Sequence, residues 1–179
     1  MSKFRSKIGL ASIVLAIAMG ICSFSTKFNA SVMRESLTKD REMIIADASS
    51  LNVLEATIDQ QINQYRQSQN LPPLKLDDRL STQARMHSEA MARGEVPFSH
   101  DRFDERADAI SQIIPYRSVA ENVAYNQGFT DSATQAVDGW LKSTVHLKNI
   151  EGDFAFTGVG VAKNDRNEYY FTQIFVLQR

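Results

Sequence analysis

Three histidines are spread along the chain: His87, His100 and His146. Imidazole changes charge near neutral pH and ligates metals, so each is a candidate site residue. His146 closes the stretch Trp140-Leu141-Lys142-Ser143-Thr144-Val145-His146, which holds the chain's one tryptophan. At helical spacing Ser143 and His146 share a face. A serine nucleophile is not the reading, because no Gly-x-Ser-x-Gly turn surrounds Ser143. His100 lies in Phe98-Ser99-His100-Asp101, past a helix, from where a ring can point into a cleft. Glu121 stands among apolar residues in Ala120-Glu121-Asn122, and a carboxylate there needs an arginine, a histidine or a metal as partner. His87 falls on an apolar helical stripe and reads as a core histidine with satisfied ring nitrogens. The chain has no His-Glu-x-x-His zinc motif and no Gly-rich phosphate loop.

The elements that must position these groups are legible in outline. Asn52-Val53-Leu54-Glu55 fits a capping box, and Leu54, Ile58, Ile62 and Tyr65 then share one helical face. That helix should stop before Pro72-Pro73. Asp77 or Asp78 caps a second helix, with Leu80, Ala84, His87 and Met91 along one stripe and Gly94 as its stop. A short helix is expected from Phe103 to Ile113. The run Ser118–Tyr125 reads equally as strand or helical turn. Thr130 or Ser132 caps a further helix with Ala133, Ala136, Val137, Trp140 and Leu141 on its apolar face, which makes Trp140 a core residue. Two β-rich runs follow, joined by the turn Asn164-Asp165-Arg166-Asn167. Gly158 and Gly160 inside the first run signal a close backbone approach or a bulge. Helices followed by a hairpin argue for an α+β domain.

The N-terminus is of another kind. Lys3, Arg5 and Lys7 precede an apolar run from Ile8 to Phe24, the pattern of an export signal. The run is short for a membrane helix and long for a signal core, so residues 1–30 read as a signal peptide or an uncleaved membrane anchor. Phe28-Asn29-Ala30 matches a cleavage site poorly, and Ile21 disfavours lipid attachment at Cys22. Residues 31–50 read as a linker and 51–179 as the domain. Residues 1–30 hold four basic residues and no acidic one, which leaves 16 basic against 21 acidic residues, a net charge of −5. Such a surface repels phosphate backbones and excludes nucleic acid as a partner. Beyond Cys22 there is no cysteine, so the domain forms no internal disulfide and must rest on its core.

In order and spacing, several segments resemble bacterial CAP (SCP-like) domains, the superfamily of cysteine-rich secretory proteins, antigen 5 and pathogenesis-related proteins. They are Asn63-Gln64-Tyr65-Arg66, Leu74-Lys75-Leu76-Asp77, Ala84 to Met91, Phe98-Ser99-His100, Ala120-Glu121-Asn122, Trp140 to His146, Thr157 to Ala162 and the last strand. The resemblance covers residues 52–179. It implies an α-β-α sandwich with an antiparallel sheet between helical layers. It also implies a cleft where His100, Glu121 and His146 converge. The fourth acidic position of eukaryotic relatives is Ser143 here, with Asp138 and Glu151 as candidate replacements. Two His and one carboxylate would supply three ligands for a divalent metal such as zinc, with one position open. Two functions follow. One is an exported, extracellular or periplasmic binding module for a small molecule, a lipid or an extracellular protein. The other is a metal-assisted hydrolase, a peptidase, in which Glu121 holds the metal or acts as base.

Overall fold

A computed structural model describes residues 25–179. The export signal or anchor expected over residues 1–30 lies, up to Phe24 and including Cys22, outside the described residues. No helix among the described residues is long and apolar enough to cross a membrane. The chain divides into two compact units, Met1–Met43 and Ile44–Arg179. In the first, the described residues from Ser25 are helical, with Val32, Met33 and Leu37 exposed.

Helix α1 spans Ser25–Ser68. Asn52 is therefore an interior residue and not a cap. No Gly or Pro interrupts the run, so nothing stops the helix between Ser31 and Asn52. In the second unit α1 buries Ile58 and Ile62, and Asp47 accepts a hydrogen bond from Lys163 Nζ at 2.6 Å. After the two prolines comes β1 (Lys75–Leu76), then α2 (Asp78–Ala92), whose cap is Asp77, accepting from Arg79 N. Gly94 takes the left-handed conformation that ends this helix (φ 70°). Helix α3 (Phe103–Ile113) precedes β2 (Tyr116–Gln127), a full strand where the sequence was ambiguous. Helix α4 (Ser132–Lys142) is capped by Asp131, between the two expected caps, because its carboxylate accepts from Thr134 N. Helix α5 (Thr144–Ile150) and the hairpin β3 (Phe156–Lys163) and β4 (Glu168–Gln178) complete the chain.

The sheet order is β1-β3-β4-β2, so β2 is an edge strand. The three long strands are antiparallel, as expected. The two-residue β1 is parallel to β3 and makes the sheet mixed, because the chain leaving Pro72-Pro73 is extended and pairs as it passes, Lys75 N donating to Ala155 O. Helices pack on both faces, the α-β-α sandwich. On one face Leu80, Ala84, Ile110 and Ile114 meet Ile174 and Val176 of β4. On the other, Ile58, Ile62 and Trp140 meet Phe171 and Phe175. Gly158 and Gly160 are the points of closest approach. A Cβ at Gly160 would lie 2.1 Å from Arg85 N, and one at Gly158 would lie 2.3 Å from the main chain at Leu80.

Candidate functional site

The site forms at the outer edge of β2. Residues paired across β2 and β4 show which way each side chain points: Glu121 opposite Ile174 faces α2 and α3, and Asn122 opposite Gln173 faces α5. Glu121 is 1% exposed at its side chain. Arg106 of α3 grips it with two bonds, Nε to Oε2 at 2.8 Å and Nη2 to Oε1 at 2.7 Å. His100 Nδ1 donates to the same Oε1 at 3.0 Å. Burial alone would raise the Glu121 pKa, but the bonds from His100 and Arg106 outweigh it and hold the group below the usual carboxylate range.

His87 extends this network. Its Nε2 meets Ser99 O at 2.9 Å, and a carbonyl only accepts, so Nε2 carries the proton. Its Nδ1 meets Arg106 Nη1 at 3.0 Å, and a guanidinium only donates, so Nδ1 is bare. His87 is thus a neutral, buried ring with both nitrogens satisfied, as its place on the α2 stripe predicts. Its pKa is lowered, first by burial, with the Arg106 charge adding to the effect. The same logic fixes His100. Its Nδ1–H points at a carboxylate, and the ring keeps 49% side-chain exposure, so Nε2 is the nitrogen left for an external partner.

His146 comes from α5 on the other side of the β2 edge. It is half-buried, and its pKa is lowered by burial and by the nearby His100. Its backbone is held rigidly: Asn122 Nδ2 donates to His146 O at 3.1 Å, while Asn149 Nδ2 donates to Asn122 Oδ1 and Glu121 O. Arg66 of α1, 1% exposed, fastens the end of α5 by donating to the carbonyls of Ile150 and Gly152. Trp140 is buried in the core, and its Nε1 donates to Val123 O at 2.9 Å.

Ser143 does not share a helical face with His146. Its extended backbone (φ −101°, ψ 116°) separates α4 from α5. Neither candidate for the fourth acid enters the cleft. Asp138 pairs with Lys142, and Glu151 accepts from Tyr65 Oη. The sequence reading missed Arg106. Its signal was an arginine beside Ala107 and four residues before Ile110, on the buried stripe of α3.

Among the described residues no group of three or more His, Cys, Asp or Glu side chains is placed to hold a metal ion. Glu121 already accepts two bonds from Arg106 and one from His100. The bond to Glu121 fixes Nδ1 of His100 as a donor, as a carboxylate behind a histidine fixes its tautomer and orientation.

A small three-layer domain with two histidines and a buried carboxylate at one sheet edge is the class that fold and site define. The chain belongs to the CAP family, the cysteine-rich secretory protein family, whose pattern matches residues 60–175. It is 31% identical over 120 residues to the uncharacterized Bacillus subtilis protein YkwD, covering 65% of this chain and 45% of that one. Among solved structures it resembles an extracellular protein containing an SCP domain from Bacillus anthracis, with 28% identity and a TM-score of 0.61 over 72% of this chain and 41% of that chain. It shares its fold with an outer surface protein from Borrelia burgdorferi, with 20% identity and a TM-score of 0.60 over 69% of this chain and 92% of that one. The chain therefore spans less than half the length of the two Bacillus proteins. Its single cysteine, outside the domain, sets it apart from the disulfide-rich members that gave the family its name.

Proposed function

We propose that this is an exported, non-catalytic binding domain whose cleft presents Nε2 of His100 and the ring of His146 to an external ligand. The commitment of Glu121 carries this reading. Metal-assisted hydrolysis would need that carboxylate as ligand or as base, and both its oxygens are held by Arg106 and His100. A carboxylate kept below its ordinary range, beside a guanidinium, is also a poor base. Export is supported by the basic-then-apolar N-terminus and by the description of the Bacillus anthracis relative as extracellular. Binding is supported by a groove of about 580 Å³ that adjoins His146, within the range of ligand sites.

Turnover tests the reading. The full chain, incubated with a broad peptide library with and without added zinc, is expected to cleave nothing above background. Cleavage that disappears in both His146→Ala and Glu121→Gln would establish the hydrolase reading instead.

A further inference from the structure

The groove beside His146 runs along the free edge of β2, and that edge has an unused hydrogen-bonding register. The carbonyls of Glu121 and Val123 point away from β4, since they accept from Asn149 and Trp140. Strand residues two apart turn their main-chain groups the same way, so Tyr125 and Gln127 also point theirs outward. The far strand gives the same parity. Val176 and Glu168, opposite Val119 and Gln127, accept at their carbonyls from Ala155 N and Asn164 N on the β3 side. They therefore leave their β2 partners facing out. Asn149 and Trp140 cover the edge only as far as Val123. Beyond it, among the described residues, no main-chain group pairs with Tyr125 or Gln127 on that side.

The walls of the groove fit an extended chain. Phe98, Tyr125 and Phe129 are exposed large aromatics there. Asn126 also lines it and is 6% exposed, with Nδ2 donating to Ser132 O while Oδ1 has no partner among the described residues. A buried acceptor without a donor is costly, and it marks this stretch of the groove wall as polar beneath its surface. Opposite the strand, Gly139 of α4 leaves space that a side chain would fill, since a Cβ there meets nothing within 4 Å. Among the described residues, no Asp, Glu, Lys or Arg side chain lines the groove.

From this we infer that the groove binds an uncharged, extended peptide segment, which adds as a strand to β2 at Tyr125 and Gln127 and sets alternate apolar side chains against the aromatics. The inference rests on the binding-domain reading and names its ligand. A glycan is the weaker fit. Phe98 stands tilted at 50° to Tyr125, and Tyr125 at 53° to Tyr170, so the rings form no flat platform for a sugar. A fatty chain would leave the outward main-chain groups of Tyr125 and Gln127 without partners.

The test uses the full chain and a pool of end-capped, uncharged heptapeptides in which aliphatic and aromatic residues alternate with Ser and Thr. Amide NMR is expected to show shifts and slowed exchange at Tyr125 and Gln127. Gln127→Pro, which deletes an outward N–H and leaves the β4 ladder intact, should weaken binding about fivefold, the worth of one hydrogen bond. Gly139→Leu replaces a helix-breaking residue, so it should fold at least as well, and should abolish binding by filling the groove. Alternate N-methylation of the peptides should abolish it in one of the two registers only. Absence of these shifts, or binding indifferent to both substitutions and to N-methylation, overturns the inference. So does occupation of the groove by an N-acetylglucosamine hexamer or by myristate in place of peptide, although the binding-domain reading then stands. Peptides recovered cleaved from the same samples, after binding at Tyr125 and Gln127, would support the groove's ligand and sink the non-catalytic reading.

Discussion

Gly158 of β3, Ile174 of β4 and Glu121 of β2 form one row across the sheet and face the same helical layer. The two ends of that row are built on opposite principles. At Gly158, and at Gly160 beside it, strand and helix main chains touch, with no side chain between them. At Glu121 the space is filled by a guanidinium and two imidazoles joined by directional bonds. Close main-chain packing tolerates no change in shape, whereas a charged network tolerates matched changes in its members. The fold is anchored at one end of the row, and the cleft is presented at the other.

The largest effect expected is at the anchored end. Gly160→Val puts branched carbons into the α2 backbone and should cost more than about 3 kcal/mol, the upper end of ordinary overpacking. Loss of the cooperative unfolding transition is the expected readout, and a folded variant of near wild-type stability would break the comparison. At the cleft end, Arg106→Met strands Glu121 as a buried charge and should cost about 3–5 kcal/mol in urea unfolding. Adding Glu121→Leu removes the stranded charge, so the double variant should recover most of that loss. No comparable rescue exists for Gly160→Val. If the double variant were no more stable than Arg106→Met, the network would be as unforgiving as the glycine contact.

How far the sequence disclosed these two ends follows from the range of the interactions. The glycines announced a close approach because a missing side chain inside a β-rich run has few other uses. His100, Glu121 and His146 were singled out through motif order, and Trp140 was placed in the core through helical periodicity. Arg106 and the role of His87 in the same network stayed hidden. Helical periodicity places Arg106 on the buried side of α3 but names no partner for it, because the strand it meets lies 15 residues later. The break at Ser143 was also hidden, because no glycine or proline stands at it.

A smaller effect distinguishes the two ends by pH. His87 and His146 both have lowered folded-state pKa values. The unfolded chain takes up protons at these sites as pH falls through about 6.5, while the folded state does not. Stability should therefore be constant above that pH and decline below it, down to the folded-state values. Urea midpoints at pH 7.5 and 5.5 should show the decline, and His87→Gln should make it shallower. A stability that rises on acidification over this interval would contradict the assignment of His87 as neutral. The smallest effect is expected at His100, whose exposed ring reaches Glu121 while Arg106 still grips that carboxylate. His100→Ala should shift stability by only about 0.5 kcal/mol, the scale of surface substitutions. A loss several times larger would make His100 part of the structural anchor.

The central claim is that Glu121 serves the cleft by orienting His100. The proton positions on His100 test it most directly, read from imidazole ¹⁵N shifts of the full chain at pH 7.5. A proton on Nδ1, a bare Nε2, and loss of that tautomer preference in Glu121→Gln are expected. A proton on Nε2 in the wild type, or a tautomer unaltered by Glu121→Gln, would contradict it.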